Sequence, residues 1–359
     1  AHDVGGNRVT GNTCVGRGAG IAIFGYSWPV IEANHIIDND TLLTEKTDGG
    51  GIAIVTAWFK PSIVTVSDAN KLVNFEDNWD ANGLKLAKDI SSNYSSRIIK
   101  NRIAKNRARD DGGGIYMTNL ATAFLHDNQI LQNKAGNAGG GIRVTFGSLI
   151  IISGGEISQN VANTRRQIKA EKDADGNSLE PSLNKNGGGG LSVRNSSARL
   201  TGVKVEKNKV EDWAGGGIFF SAADAEAWYF KKALNKVFEI SEVSLKIDSS
   251  SSVKLNHVTH EGDGLGKDHR KGGGLYVLRY KNDEDSVEGL PISIEVDDVD
   301  AVIGGNLQDQ SSARPPLSVK SPSSKNLHIE DFYHRSGKPI DDSNKASFVK
   351  KKKLKYTSS

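Results

Sequence analysis

The amino-acid sequence predicts an all-β solenoid, in which one short unit winds repeatedly and stacks on itself. Three features recur in phase along the 359 residues: a glycine triplet, an alternating apolar run directly after it, and a pair of asparagines five positions apart. One complete copy has its triplet at Gly112 and its asparagines at Asn128 and Asn133, and the next triplet begins 27 residues later, at Gly139. A fixed period of this size with strand-like runs inside it is typical of stacked repeat proteins.

Each glycine triplet marks the start of a predicted strand. The triplet is followed by Ile or Leu and then by alternating side chains, as in GIAIV and GIYMT, which is the pattern of a half-buried strand. No triplet is followed by Lys and then Ser or Thr, so a phosphate-binding P-loop is excluded. Counting the triplets and their close relatives predicts about eight coils, which begin at Gly18, Gly49, Ala81, Gly112, Gly139, Gly188, Gly215 and Gly272.

The asparagines are predicted to form a structural ladder. An inward Asn at a tight turn can hydrogen-bond the backbone of the next coil, and Asn tolerates the left-handed backbone conformation. The full pair occurs at Asn7/Asn12, Asn34/Asn39, Asn101/Asn106 and Asn128/Asn133, and its second member recurs at Asn160, Asn208 and Asn256.

Long intervals between triplets indicate insertions. The stretch between Asn160 and Gly188 is polar and predicts a surface loop, residues 221–238 have the apolar spacing of a short amphipathic helix, and residues 263–271 predict another loop. The repeat pattern fades after residue 303. We therefore predict a solenoid over residues 1–303 and a polar C-terminal extension with a basic tail over residues 304–359.

Composition limits the partners. The net charge of +3 is small for this length, so nucleic acid is not expected as a partner, and no apolar run reaches the 18 residues that a transmembrane helix needs. The single Cys14 excludes an intramolecular disulfide. The first residues already match the repeat, so we expect a processed chain or part of a longer polypeptide, whose uncapped first coil invites self-association.

With these motifs in place, the sequence resembles the right-handed parallel β-helix repeat proteins of the pectate-lyase-like superfold. GAGIAIFGYSWPVIEANHIIDND resembles repeats of bacterial and archaeal surface proteins, and the later GGGI turns resemble autotransporter-like adhesins. The resemblance covers about Val4 to Gly274. It implies an extracellular or cell-surface location, but this superfold carries lyases, hydrolases, adhesins and inert scaffolds, so it does not choose among them.

Alternation predicts a ligand-binding face. If the first apolar residue after each triplet points inward, the next points outward and forms a file along the rod. That file and the one beside it are basic and aromatic, which suits an anionic polysaccharide, because rings stack on sugars and Arg pairs with carboxylate or sulfate. The alternative is that insertions cover this face. The predicted ligand-binding residues are Lys85, Tyr116, Arg143, Arg194, Phe219 and Tyr276.

A second predicted file consists of carboxylates just before the triplets. Asp48, Asp80 and Asp111 would lie about 5 Å apart on successive coils, close enough for oxygen ligands to share one calcium ion. The alternative is that these residues cap turns. No other cofactor is expected.

These features favour a non-catalytic protein for adhesion, assembly or binding of an anionic glycan, with a glycan or cell-surface partner. One alternative is a polysaccharide lyase acting on an acidic polysaccharide. Lyases of the superfold use a Lys or Arg base beside acidic calcium ligands, which here implies Lys85, Arg143 or Arg194 beside Asp111. Another alternative is a structural subunit of a filament or surface layer.

Overall fold

Four parallel sheets make up the fold. The computed structural model describes residues 6–25, 27–41, 47–55, 95–119, 121–162, 187–211, 214–222, 243–259, 272–282, 292–297, 302–308, 327–334 and 354–357. Each coil adds one strand to each of four eight-stranded sheets, here called sheets A to D in chain order. The prediction of an all-β solenoid with about eight coils is confirmed, and the fold is a right-handed parallel β-helix.

Sheets A and B form one side of each coil. Sheet A contains Arg8–Thr10, His35–Ile37, Arg102–Ala104, Gln129–Leu131, Glu156–Ser158, Lys204–Glu206, Ser252–Lys254 and Ile303–Gly304. Sheet B contains Thr13–Cys14, Asp40–Thr41, Arg107–Ala108, Lys134–Ala135, Val161–Ala162, Lys209–Glu211, His257–Thr259 and Leu307–Gln308.

Sheets C and D complete the coil. Sheet C contains Ile21–Phe24, Ile52–Val55, Ile115–Thr118, Ile142–Val144, Leu191–Arg194, Ile218–Ala222, Leu275–Asn282 and Leu327–His334. Sheet D contains Val30–Glu32, Ser96–Ile99, Thr122–His126, Leu149–Ser153, Ser197–Thr201, Val243–Ile247, Ile292–Val296 and Leu354–Thr357. The last of these strands pairs antiparallel with Ile292–Val296, whereas the other described pairs are parallel.

Stacked aliphatic side chains fill the interior. In sheet C, for example, Ile52, Ile115, Ile142 and Leu191 lie at equivalent register positions and are fully buried. They belong to one continuous apolar cluster that includes residues from Ile23 to Ile303. Burial of apolar surface along the whole rod, about 25 cal/mol per Å², is the main force that holds the coils together.

The asparagine ladder is present at the turn between sheets A and B. Asn106 donates from its backbone N–H to Oδ1 of Asn133 at 2.9 Å, and Asn133 repeats this bond to Asn160. The same file continues from Asn12 to Asn306. The predicted conformation was wrong, however. The residue before each Asn is the left-handed one, as at Lys105 with φ of 57°.

The glycine triplets form a crowded corner between sheets B and C. An added Cβ at Gly113 would lie 2.5 Å from backbone atoms of both Lys134 and Gly140. No side chain fits at that distance, so glycine is required there by close backbone approach rather than by a positive φ. The triplets therefore mark a corner where successive coils are in close backbone contact, directly before the strands of sheet C.

One predicted coil is wrong. Ile52–Val55 pairs directly with Ile115–Thr118, and Ala53 is the register partner of Tyr116. No strand therefore lies between these two, and the triplet-like Ala81 does not begin a coil of sheet C there. Asp80 and Lys85 were assigned to that coil, and both lie outside the described residues. The eighth strand of sheet C is instead Leu327–His334.

The long intervals flank sheet C. Residues 163–186 connect sheet B to sheet C, and residues 56–94 and 223–242 connect sheet C to sheet D. Of the predicted amphipathic helix, residues 221 and 222 end the strand Ile218–Ala222, and the remainder lies outside the described residues, as does the loop over residues 263–271. The division at residue 303 stays a prediction, although strands after it continue the sheets. The described residues contain no helix that could span a bilayer.

Candidate functional site

Five of the six predicted ligand-binding residues lie at outward positions of sheet C, and the sixth, Lys85, lies outside the described residues. Tyr116 pairs in register with Arg143, and Phe219 pairs with Tyr276, each at the outward position of its strand. Arg194 occupies the next outward position, two residues along its strand, where it pairs with Ser221. Alternation therefore predicted the direction of these side chains correctly.

Their exposure was predicted wrongly. Tyr116 is 6% exposed, Arg143 2%, Phe219 0% and Tyr276 3%, while Arg194 is half-buried. The alternative stated above, that this face is covered, therefore describes these side chains better than an open groove. The aromatic members pack in pairs, since the rings of Phe219 and Tyr276 stack with centroids 5.5 Å apart and an interplanar angle of 14°.

A charged cluster lies at the sheet B to sheet C corner of the first coils. Arg17 donates from Nε to Oδ2 of Asp48 at 2.9 Å, and its guanidinium lies 5.3 Å from the ring centroid of Tyr116. Asp48 accepts a second bond at Oδ1 from the backbone N–H of Asp111, at 3.3 Å. The carboxylate of Asp48 thus joins three coils by binding the cation of the preceding coil and a backbone amide of the following one.

Asp111 continues this cluster into the next coils. Its Oδ1 accepts from Nδ2 of Asn137 and from the backbone N–H of Ala138, both at 2.9 Å. Its Oδ2 lies 3.4 Å from Nε of Arg143, and Nη1 of Arg143 donates to Oγ of Ser192 at 2.6 Å. The alternative prediction that these carboxylates cap turns accounts for the backbone contacts, and the arginines neutralise their charge.

Burial determines the electrostatics of the cluster. The pKa of Asp48 is raised by desolvation and by the nearby charge of Asp111, and Arg17 offsets only part of this effect. Burial also raises the pKa of Tyr116, again with a contribution from Asp48. Burial alone would lower the pKa of Arg17, but Tyr116, Asp48 and Asp111 together raise it. We call Arg17, Asp48, Asp111, Tyr116, Arg143 and Ser192 the corner cluster.

The fit of the corner cluster to calcium is poor in the part of the chain that the structure describes. Asp48 and Asp111 lie on adjacent coils, whereas the prediction placed Asp80 between them, and each already faces an arginine. Calcium binding requires six to eight oxygen ligands, and the described residues hold no group of three or more His, Cys, Asp or Glu side chains that could bind a metal. Asp80 lies outside those residues, so the calcium site stays a prediction.

Sequence reasoning missed Arg17 and Ser192. Arg17 directly precedes Gly18, just as Asp48 precedes Gly49 and Asp111 precedes Gly112. The position directly before a triplet, which identified the two carboxylates, is therefore occupied by a cation, Arg17, in the first coil. Ser192 occupies the register position next to Arg143, and its hydroxyl carried no signal of its own in the sequence.

The stacked sheets, the asparagine ladder and the inter-coil ion pairs together define a parallel β-solenoid. Rows of polar side chains that bond from coil to coil stabilise it. Residues 82–260 match the family model described as "Right handed beta helix region". The four stacked parallel sheets of the structure agree with this match. Comparison with curated proteins and with solved structures gave no significant match.

Proposed function

We propose that this protein is an extracellular or cell-surface β-helix that binds an anionic glycan without catalysis and serves adhesion or assembly. The observation that carries the proposal is the burial of Arg143 and the contacts that hold its side chain. This side chain, which the sequence nominated as a lyase base, is 2% exposed and is held between Asp111 and Ser192.

A lyase base must reach the substrate and must accept a proton. Arg143 meets neither condition, because it is buried and its positive charge is neutralised by Asp111 at 3.4 Å. A guanidinium carries only hydrogen-bond donors and no acceptor. The lyase alternative therefore depends on Lys85, which lies outside the described residues, and on Arg194, which is half-buried.

The remaining charged surface of the solenoid suits binding rather than chemistry. Sheets A and B present Lys, Arg and Gln side chains outward, including Arg102, Lys105, Gln132 and Lys134. Cationic groups attract carboxylate and sulfate, and amides hydrogen-bond sugar hydroxyls. A rigid rod that repeats such groups from coil to coil fits an extended polymer.

Two assays on the same preparation test this proposal. We expect binding to acidic glycans on a glycan array and no new ultraviolet absorbance when the protein is incubated with polygalacturonate, with and without calcium. An increase in absorbance that Lys85→Ala or Arg194→Ala abolishes would overturn the non-catalytic assignment. Failure to bind any glycan on the array would overturn the proposal of glycan binding.

A role in a filament or surface layer is the second candidate. Three of the exposed large apolar side chains, Val15, Phe24 and Val30, lie in the first described coil. Another coil stacked on this one would bury them and extend the four sheets by the same register. Light scattering at increasing concentration tests this: growth in mass that Phe24→Glu abolishes supports assembly through this coil, and a constant monomer mass contradicts it.

A further inference from the structure

We propose that an acidic polysaccharide binds across a basic band on the outer surface of sheets A and B in the third and fourth coils. The band consists of Arg102, Lys105, Arg107 and Lys134. This inference rests on the proposed function and assigns its binding surface, which is not the sheet C face that the sequence favoured.

The band is open to solvent. Lys105, Arg107 and Lys134 are exposed and Arg102 is half-buried, in contrast to the buried Arg143 of sheet C. Arg102 donates from Nη1 to Oε1 of Gln129 at 3.0 Å, which holds its guanidinium against the surface. The other three side chains make no ion pair with any residue that the structure describes, so their charges remain available to a ligand.

The band concentrates like charges at neighbouring register positions. Arg107 is the direct partner of Lys134 in sheet B, about 4.8 Å away across parallel strands. Like charges placed directly opposite each other destabilise a sheet. A bound anion that bridges the two side chains would convert this repulsion into attraction.

Carboxylates limit the band on both sides. Asp40 pairs in register with Arg107 on the preceding coil, and Glu156 pairs with Gln129 on the following coil. The positive surface is therefore about two coils wide, or about 10 Å. A polyanion would avoid the flanking carboxylates by lying along the strands, across the axis of the solenoid.

The neighbouring side chains favour sugars over nucleic acid. Gln132 donates from Nε2 to Oε1 of Gln159 at 2.9 Å, which places two amides beside the basic band. Amides can donate to and accept from hydroxyl groups. Single-stranded nucleic acid is bound through aromatic rings that stack on its bases, and the strands and turns that carry the band include no Phe, Tyr or Trp.

The test compares two triple variants of the whole chain. The band variant carries Lys105→Gln, Arg107→Gln and Lys134→Gln, and the control carries Lys204→Gln, Lys207→Gln and Lys254→Gln. Both remove three positive charges, two from strands and one from the turn between sheets A and B. The band variant changes strands of sheet B and the control changes strands of sheet A, where Lys204 and Lys254 face Glu156 and Glu206 in register. Glutamine fits the left-handed position of Lys105, because Gln132 and Gln159 already occupy equivalent positions.

Binding is measured by calorimetry with heparin and with polygalacturonate as probes, after circular dichroism and thermal melts show that both variants are folded. We expect the band variant to lose at least about tenfold in affinity and the control to change less than about threefold, since exposed ion pairs contribute modestly each. Heparin and polygalacturonate separate sulfate from carboxylate recognition, and binding of either one that depends on the band supports the proposal.

Three outcomes overturn the proposal. If the wild type binds neither probe, the proposed glycan binding fails with it. If the wild type binds but both variants lose affinity equally, only the assignment to this band fails. If duplex DNA competes with the probe and binds more tightly at 150 mM salt, the ligand is nucleic acid rather than polysaccharide.

Discussion

Asn106 donates from Nδ2 to Oδ1 of Asn133 at 3.0 Å, and both side chains are completely buried. From Asn39 to Asn306, each amide in this file also donates to a backbone carbonyl, as Asn133 does to the carbonyl of Ile103 at 2.9 Å. The file therefore provides hydrogen-bond partners for backbone N–H and carbonyl groups at the turn between sheets A and B. The hydrogen bonds between neighbouring strands do not reach these groups. Its amides hold the turns of successive coils in register.

Asn133→Ala should destabilise the solenoid strongly. The substitution leaves the backbone N–H and the side-chain amide of Asn106 without their acceptor, and each buried unsatisfied group costs about 1–3 kcal/mol. We expect a loss of about 3 kcal/mol in the free energy of unfolding, measured by urea denaturation. Asn7→Ala, at the exposed end of the parallel file, should change it by less than about 0.5 kcal/mol. Equal effects at both sites would contradict a special role for the buried file.

Gly113→Ala tests the crowded corner. Its methyl group would meet two backbone segments at 2.5 Å, so the coils must separate locally, and we expect a loss of more than about 3 kcal/mol or failure to fold. Gly11→Ala is the control, because Gly11 has a φ of 66° but nothing within 4 Å of an added Cβ. Left-handed strain alone should cost about 1–2 kcal/mol there. Thermal melts compare the two, and a smaller effect at Gly113 would contradict the packing argument.

Arg143 and Asp111 should be energetically coupled. Arg143→Met leaves a carboxylate in the interior of the corner cluster without its cation, which typically costs about 3–5 kcal/mol. Adding Asp111→Asn should recover part of this loss, since the amide oxygen can still accept from Ala138. A double-mutant cycle by denaturant unfolding should give a coupling of at least about 1 kcal/mol. Additive losses would show that the ion pair contributes nothing of its own.

Asp48 should make stability depend on pH. Its pKa is raised by burial from its ordinary value of 3.8, so the folded state binds this proton more tightly than the unfolded state. The wild type should therefore lose stability relative to Asp48→Asn as pH rises through the window that begins near 3.8 and ends at the raised pKa. Urea unfolding of both proteins from pH 3.5 to 7 measures this difference.

Arg17→Met provides the check on that prediction. Because Arg17 lowers the pKa of Asp48, its removal should widen the pH window and deepen the loss. If the wild type instead gains stability relative to Asp48→Asn as pH rises, the Arg17 ion pair outweighs burial.

The repeat architecture was predictable because its constraints are local. A glycine such as Gly113 and an amide such as Asn133 recur in sequence wherever the backbones of two coils approach closely. The direction of Tyr116 followed from the two-residue period of a strand. Its burial did not, because alternation states which way a side chain points and contains no information on what covers it.

The misplaced coil has a different cause. The segment 81–83, Ala-Asn-Gly, resembles a glycine triplet in composition. Whether a strand follows such a segment depends on its pairing with both neighbouring coils. Ala53 and Tyr116 pair directly, so no strand of sheet C lies between them. Conversely, Leu327–His334 completes sheet C without a glycine triplet before it, so no sequence signal identified it.

The spacing of the coils is uneven along the chain, since Asn39 and Asn106 bond across 67 residues whereas Asn106 and Asn133 bond across 27. The long insertions enter beside sheet C, as at residues 56–94, 163–186 and 223–242, and the five-residue step between the paired asparagines never changes. Insertions, natural or engineered, should therefore be tolerated beside sheet C and should be disruptive at the asparagine turn between sheets A and B. Foreign peptides displayed in place of residues 163–186 would leave the hydrogen-bonded spine of the rod untouched.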